Sequence, residues 1–430
     1  MGIHKPSRAY SLLKGFVDFF FLKFYKVTFH GHENIHPHAR AIYAPNHQNA
    51  LMDALAVHSA FRWQLVFLAR SDIFANKTVA KILRFLKLLP VYRIRDGYDQ
   101  LANNAESFRQ TFDVLDKNNP ITILPEGNHE GKKRLRTLKK GITRIAFSYR
   151  HDNNQKNDIS IIAIGLNYFD YHKPGSPLLI RFGNPIPASA FDEHFRQSPA
   201  IATNALIKTL EEELRRNMLH ISEDADYDVI DAFVSMYAYM ALQQKIGLPE
   251  IFDRQKEIIE QLENMEKEEP AQFSKTKDAT LKTIELLQSR GLNLDDAGLT
   301  FRKDNKLKIY SEFALLLLSF PLYAFAWIQN LIPTLVLHNL LAKFKDPHFK
   351  SYVLLVGTIF LFPVFHGLQT LVFWLISGSW QWSLLYLASL PLSFVWKHFW
   401  KSWFSNLQKR RKIFPIKGKV KRMVEELFNI

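Results

Sequence analysis

The apolar pattern changes character three times along the chain. Between about residues 27 and 187, short apolar runs alternate with segments of helical spacing. Runs 41–44, 65–69, 121–124, 159–164 and 178–182 are bounded by polar or turn residues and predict strands, whereas 76–88, 101–117 and 137–149 predict helices. That alternation predicts an α/β domain with a largely buried sheet. Ahead of it, 10–29 carries Phe16, Phe19, Phe20, Phe21 and Phe24 and reads as an amphipathic helix, suited either to a membrane interface or to packing. Segment 200–221 predicts one more helix. Segments 226–245 and 250–267 predict long helices of a separate soluble insert. Beyond residue 301 the pattern becomes continuous: 313–342 and 351–396 are uncharged runs of 30 and 46 residues, longer than the ~20 apolar residues that cross a bilayer.

Charge sharpens this division. The 430 residues carry a net charge of +15, but 222–300 holds 17 acids against 8 bases, most simply a solvated face, while 397–422 holds ten Lys/Arg and no acid. A basic stretch beside an apolar hairpin predicts attraction to an anionic membrane surface. The flanks 302–308, 343–350 and 397–422 are all basic, which favours the cytoplasmic side for each. The expected membrane part is therefore a re-entrant segment at 313–337, bent at Pro321 and Pro333, and a spanning hairpin at 352–396 turning at Gly378-Ser379-Trp380. Segment 10–29 is interrupted by Lys14, Asp18, Lys23 and Lys26, so no cleavable signal is expected. With no cysteine, thiol catalysis, thiolate metal sites and disulfides are excluded.

Two segments can carry chemistry. The first, Asn46-His47-Gln48-Asn49-Ala50-Leu51-Met52-Asp53, follows a predicted strand and opens a helix at 52–61. This context puts His47 on an exposed loop and Asp53 in the first helical turns, where the carboxylate can accept the second imidazole N–H and support the cation formed on proton abstraction. A helix-capping loop is the plainer reading of the same residues. The second segment, Pro125-Glu126-Gly127-Asn128-His129-Glu130-Gly131, ends a strand and leads into Lys132, Lys133, Arg134, Arg136, Lys139 and Lys140. A loop containing glycine and followed by cations suits a phosphate, although an exposed basic helix start would look alike. His30, His32, His36 and His38 have no carboxylate at ligand spacing, so no metal is expected. Scattered arginines without a nucleic-acid motif give no expectation of a nucleic-acid partner.

Taken in order, these blocks resemble the glycerolipid acyltransferases, which acylate glycerol-3-phosphate, 1-acylglycerol-3-phosphate and related lysophospholipids. Gly31-His32-Glu33-Asn34-Ile35 is similar to the lead-in, Asn46-His47 with Asp53 to the catalytic block, and Leu89-Pro90-Val91-Tyr92-Arg93 to the second. Leu124-Pro125-Glu126-Gly127 resembles the third, and Ile164-Gly165-Leu166-Asn167-Tyr168 with Phe182-Gly183-Asn184-Pro185-Ile186 the fourth. Five residues rather than the usual four separate His47 from Asp53, and Glu126-Gly127-Asn128-His129-Glu130 replaces Glu-Gly-Thr-Arg-Ser. Both departures are similar to the fungal glycerol-phosphate/dihydroxyacetone-phosphate acyltransferases.

The resemblance implies an acyltransferase-type mixed sheet flanked by helices, with a helical insert and C-terminal transmembrane helices. It implies His47 and Asp53 as the catalytic pair, with Arg93, Glu126, Gly127, His129, Lys132, Lys133 and Lys140 around the acceptor. The acyl donor would be acyl-CoA or acyl carrier protein, with no cofactor. The first acceptor to expect is 1-acylglycerol-3-phosphate, giving phosphatidate, with glycerol-3-phosphate or a lyso-aminolipid as alternatives. A catalytically silent lipid-binding or scaffolding protein of the same fold is the alternative of another class. The expected organisation is an interface helix at 1–30, an α/β domain at 31–221, an acidic helical domain at 222–300, membrane segments at 301–400 and a basic cytoplasmic tail at 401–430. The whole would be an integral membrane protein with its active site on the cytoplasmic side.

Overall fold

The computed structural model describes residues 3–35, 39–91, 103–152, 157–222, 225–302, 306–344 and 347–428. The chain folds as two units, Met1–His220 and Ile221–Ile430.

The first unit begins with α1 (Arg8–Phe24) and β1 (Lys26–His30), followed by β2 (Ala41–Pro45), α2 (Ala50–Ser59), β3 (Val66–Arg70), α3 (Lys77–Phe85) and β4 (Leu88–Val91). It continues with α4 (Asn103–Asp116), β5 (Ile121–Ile123), α5 (Gly141–Asp152), β6 (Ser160–Tyr168), β7 (Pro177–Pro187), α6 (Asp192–Gln197) and α7 (Pro199–Asn217). Among the described residues the strands form one mixed sheet in the order β1-β7-β6-β2-β5-β3-β4. Neighbours run parallel except β6 and β7, which are antiparallel. Central β2 is buried at every position, as expected of a strand covered on both faces. Ile42, Val66, Leu89, Ile121 and Ile161 from the strands share one core with Leu115 of α4, Ile142 and Ile145 of α5 and Leu206, Leu210 and Leu214 of α7.

Two apolar segments adopt a different element from the one their pattern predicts. The helix expected over 10–29 stops at Phe24, because Tyr25 is extended and fully buried, and Lys26–His30 pairs as β1 with β7. Val27, Thr28 and Phe29 alternate as strand residues, a signal masked by the phenylalanine run before them. Similarly, the helix expected over 76–88 stops at Phe85. Lys87 is left-handed (φ 64°) and Leu88–Val91 forms edge strand β4, where Pro90 can sit without a backbone N–H.

Helix α1 is both a packing helix and an exposed one. Tyr10, Phe21 and Phe24 are buried, whereas Leu12, Phe16 and Phe19 are 78, 42 and 56% exposed. A polar knot fixes it to α2: Lys14 Nζ pairs with Asp18 (2.6 Å) and donates to the His58 carbonyl (2.7 Å), Asp18 Oδ1 lies 2.7 Å from His58 Nδ1, and Tyr10 Oη lies 2.9 Å from His58 Nε2.

The second unit is helical. It comprises α8 (Tyr227–Gln243), α9 (Leu248–Glu268), α10 (Pro270–Gln288), a 3-10 turn at Leu294–Phe301, α11 (Lys306–Leu318), α12 (Phe320–Gln329), α13 (Leu331–Ala342), α14 (Pro347–Ser377), α15 (Trp380–Ile413) and α16 (Lys417–Phe428). The bend between α11 and α12 is 52°, at Ser319 just before Pro321, and a second break falls at Asn330 before Pro333. Each proline removes one helical hydrogen bond, which weakens the helix at its preceding turn. Buried Asn330 ties the second break to the hairpin, donating to Ser393 Oγ of α15 (2.9 Å) while its Oδ1 lies 3.2 Å from His366 Nε2 of α14. Helices α14 and α15 form a hairpin at left-handed Gly378 and the N-cap Ser379.

Among the described residues only Phe349–Ser377 is long and apolar enough to cross a membrane as a single helix, with mean hydropathy 1.9; the bent pair Leu307–Leu318 and Phe320–Gln329 qualifies as a broken span or a re-entrant loop. The arm 380–396 does not end as a separate span: it continues into the basic segment as one helix to Ile413. Nor does the basic segment hang loose. Lys409 pairs with Asp296 (2.8 Å), Arg410 with Glu312 (2.7 Å), and Lys412 and Lys417 donate to the carbonyls of Gly291 and Arg302. Val420 and Val424 of α16 are fully buried, and Phe428 packs on Phe233 and Tyr237 of α8. Part of the positive charge read as lipid-directed is thus neutralised within this unit.

Candidate active site

The site is built where three β-strand ends meet. Strand β2 delivers the chain to Asn46, whose side chain makes a reciprocal pair with the backbone of Leu166 on β6: its Oδ1 accepts the Leu166 N–H (2.6 Å) and its Nδ2 donates to the Leu166 carbonyl (3.3 Å). This side-chain pairing extends the β2–β6 ladder by one position and ends the strand without an orphaned polar group. The loop then turns through Ala50, a left-handed residue (φ 46°) at the first position of α2. That turn folds Asp53 back onto the loop it follows.

Asp53 is fully buried and fully used. Its Oδ2 accepts the backbone N–H groups of Gln48 and Asn49, both at 2.7 Å, and lies 2.9 Å from His47 Nδ1. Its Oδ1 accepts the Tyr168 hydroxyl at 2.9 Å. Backbone N–H groups can only donate, so this oxygen is an acceptor throughout, and the His47 nitrogen facing it carries the proton. When the imidazole is neutral its lone pair is therefore on Nε2, and the side chain is 16% exposed. Burial first, then the Asp53 charge, pushes the Tyr168 phenol well above its usual range, which keeps it a donor.

Around the pair runs a second ring of hydrogen bonds. Asn49 Nδ2 donates to Tyr25 Oη and to the Tyr171 carbonyl, both at 3.1 Å, and Tyr171 Oη donates to Gln48 Oε1 at 3.1 Å. The aromatic cluster of Tyr25, Tyr168 and Tyr171 thereby holds the loop from behind.

Glu126, at the end of β5, joins this loop to the next. One carboxylate oxygen accepts the His47 backbone N–H (2.6 Å) and the other the Arg136 backbone N–H (3.0 Å). Both oxygens therefore brace protein backbone, and burial pushes the carboxyl up to about 8. Gly127 is left-handed (φ 73°), with its N–H returning to the Leu124 carbonyl at 3.2 Å, a turn that any Cβ would strain. The loop carries the His129 ring to 5.5 Å, centroid to centroid, from the His47 ring. Lys132 is half-buried and Lys133 buried further along this loop, while Lys140 stands exposed at the N-terminal end of α5. Arg93 lies outside the described residues.

The structure thus brings together His47, Asp53, Glu126, Gly127 and His129. Sequence reasoning missed the parts played by Asn46, Asn49 and Tyr168. Tyr168 closes the fourth block, but only the sheet order, which sets β6 beside β2, places its hydroxyl on Asp53. The lead-in block also finds its reason: Gly31 (φ 81°) crosses Phe182 so closely that a Cβ would lie 2.4 Å from its carbonyl oxygen, and Asn34 donates to the same carbonyl. Among the described residues no group of three His, Asp or Glu side chains converges as it would around a metal ion.

Residues 26–167, which lie within the first unit, match the family model Acyltransferase. Among curated proteins the chain is similar to two from Saccharomyces cerevisiae. Glycerol-3-phosphate O-acyltransferase 2 is 25% identical over 160 residues, covering 36% of this chain and 21% of the relative. Glycerol-3-phosphate O-acyltransferase 1 is 26% identical over 219 residues, covering 49% of this chain and 28% of the relative. The alignments span about a quarter of those relatives. Among solved structures, the 1-acyl-sn-glycerophosphate acyltransferase PlsC of Thermotoga maritima matches with a TM-score of 0.32 and 18% identity, covering 47% of this chain and 79% of that one.

Proposed function

We propose that the protein is a membrane-bound glycerolipid O-acyltransferase that moves a fatty acyl group from acyl-CoA or acyl carrier protein to a hydroxyl of a glycerol-phosphate acceptor. The observation that carries this reading is the His47–Asp53 pair, 2.9 Å apart, with the carboxylate buried and held by three further donors. In the proposed reaction His47 Nε2 takes the proton of the acceptor hydroxyl as its oxygen attacks the thioester carbonyl. The C–O bond forms and the C–S bond breaks. The departing thiolate recovers the proton from His47, giving free thiol and leaving the imidazole neutral. Asp53 holds the tautomer and offsets the imidazolium charge. The thioester is already activated, so the chemistry needs no protein nucleophile and no cofactor.

His129, beside His47, and the loop cations Lys132 and Lys133 would face the acceptor phosphate, with Arg93 and Lys140 as further candidates. The activity in the two yeast relatives' names makes glycerol-3-phosphate an acceptor to set beside 1-acylglycerol-3-phosphate. The apolar helix at Phe349–Ser377 and the basic flanks support an integral membrane protein with its reaction on the cytoplasmic side. The test is incubation of the purified full chain in detergent with labelled acyl-CoA and a panel of glycerol-3-phosphate, 1-acylglycerol-3-phosphate and phosphate-free lysolipids. Esterification of a phosphate-bearing acceptor supports the reading. Transfer only to a lyso-aminolipid, or none, overturns it.

A further inference from the structure

Between β5 and α5 the chain forms neither helix nor strand, and this loop carries His129, Lys132 and Lys133. Such a loop keeps one shape only where its backbone groups find fixed partners. At its exit two successive N–H groups find them on side chains from elsewhere in the unit. The Arg136 N–H donates to Glu126 (3.0 Å), and the Leu135 N–H donates to His220 Nδ1 (3.0 Å). His220 stands 85 residues away in sequence, just beyond the end of α7. A backbone N–H can only donate, so Nδ1 is the acceptor and the ring proton lies on Nε2. Burial first, then the charges of Arg215 and Arg134, lowers the imidazole to about 4, which keeps it an acceptor at neutral pH. Leu135 is part of the core, so without His220 its N–H would be orphaned or the loop exit would have to shift to reach water.

The backbone that presents His220 is fixed by residues of the fourth motif block. Helix α7 ends at Asn217, and Met218 is extended. Gly165 of β6 lies so close to this end that a Cβ would be 1.8 Å from the Asn217 carbonyl oxygen. Two residues along the strand, on the same face, Asn167 donates to that carbonyl (2.9 Å) and accepts the Leu219 N–H (2.9 Å). From β7 the Asn184 N–H donates to Glu213 of α7 (2.9 Å). Gly165, Asn167 and Asn184 therefore seat the segment 217–219, which in turn sets His220 against the loop.

We infer that His220 is a positioning residue: by accepting the Leu135 N–H it fixes the loop 127–136 in the shape that receives the acceptor phosphate, and the fourth block acts through it. What the loop receives rests on the acyl-transfer reading, whereas the clamp on the loop does not. Glu126 and His220 hold neighbouring N–H groups, so the loop exit is pinned both to the His47 backbone and to the end of α7. Loss of either partner frees the loop at the same place, but only loss of Glu126 also frees the backbone of His47. Removing His220 should therefore act on the acceptor and spare the acyl donor.

The test compares the purified full chain with its His220→Phe variant, which keeps a ring and deletes the acceptor, and with His220→Asn, whose Oδ1 falls near the place of Nδ1. His220→Ala is the deletion variant to use if the phenyl ring prevents folding. Amide hydrogen exchange is read by mass spectrometry on peptides covering 127–136, with peptides covering β2 and β6 as the folding control. KM and kcat are measured for acyl-CoA and for glycerol-3-phosphate or 1-acylglycerol-3-phosphate, whichever the wild type esterifies. Deleting the acceptor should speed exchange in 127–136 but not in the strands, and raise the KM for the phosphate-bearing acceptor by about five-fold or more with the KM for acyl-CoA unchanged. His220→Asn should restore both. Unchanged exchange at 127–136 in a folded deletion variant would overturn the clamp. Faster exchange with equal changes in the two KM values would overturn the acceptor-positioning role. If the wild type forms no ester, that role falls together with the acyl-transfer reading, while the exchange result still decides the clamp.

Discussion

His47 Nδ1 faces Asp53 Oδ2 at 2.9 Å although five residues separate them, because left-handed Ala50 turns the loop so that the first turn of α2 points back at the imidazole. His47→Ala is expected to lower acyl transfer by about 10²–10⁴-fold with the fold retained, since a positioned proton-transfer group contributes on that scale. Asp53→Asn replaces an acceptor of three N–H groups by an amide, so it should lower kcat and also reduce Tm. Comparing both variants by kcat and thermal melting separates chemistry from loop support.

Tyr168 gives a finer check. Tyr168→Phe deletes the donor to Asp53 Oδ1 but keeps the ring in its aromatic cluster. A hydrogen bond to a charged group is worth about 1.5–3 kcal/mol, so kcat should fall roughly ten-fold or more with KM for both substrates little changed. A wild-type kcat would show that Asp53 is held well enough by the backbone alone.

Glu126 links pH to stability. Burial raises its carboxyl from 4.5 to about 8, so between those values the folded protein binds the proton more tightly than the unfolded chain does. The contribution to stability is fully present below about 4.5 and lost as pH rises through about 8. Glu126→Gln should flatten the fall in Tm across this window. It should also lower Tm overall, because the amide turns an NH₂ toward the backbone N–H of His47 or Arg136, and an unsatisfied buried donor costs about 1–3 kcal/mol. Melting curves across the window check both effects.

The membrane reading predicts an asymmetric labelling pattern. Cysteine at exposed Gln381, beside the hairpin turn, should react with an impermeant thiol reagent added outside intact cells, whereas cysteine at exposed Ala342 or Ser405 should not. Reaction of the Ala342→Cys protein from outside would put the 343–350 flank outside and contradict the re-entrant reading of 313–337.

The sequence was most readable where burial is two-sided. Runs 41–44 and 159–164 could hardly be anything but inner strands, and they are β2 and β6. It misled where one apolar run crosses an element boundary: Phe24-Tyr25 passes from helix to strand, and Phe85-Leu86 is followed by Lys87, where left-handed backbone rather than composition ends the helix. Within the site, His47 and Asp53 were legible because they are near in sequence. Tyr168 is 115 residues from Asp53, and its role follows only from strand order. The basic segment 397–422 was legible only in part. Its cations read alike as lipid-directed, and only the fold shows that Lys409 faces Asp296 and Arg410 faces Glu312.

The central claim is that His47 is the general base of an acyl transfer to a glycerol-phosphate hydroxyl. The decisive measurement is single-turnover formation of labelled ester by purified wild-type and His47→Ala proteins of matched thermal stability, with labelled acyl-CoA and saturating glycerol-3-phosphate or 1-acylglycerol-3-phosphate. The account predicts ester from wild type with at least one of these acceptors and a rate about 10²–10⁴-fold lower from the variant. Equal rates from the two proteins, or no ester from wild type with either acceptor, would contradict it.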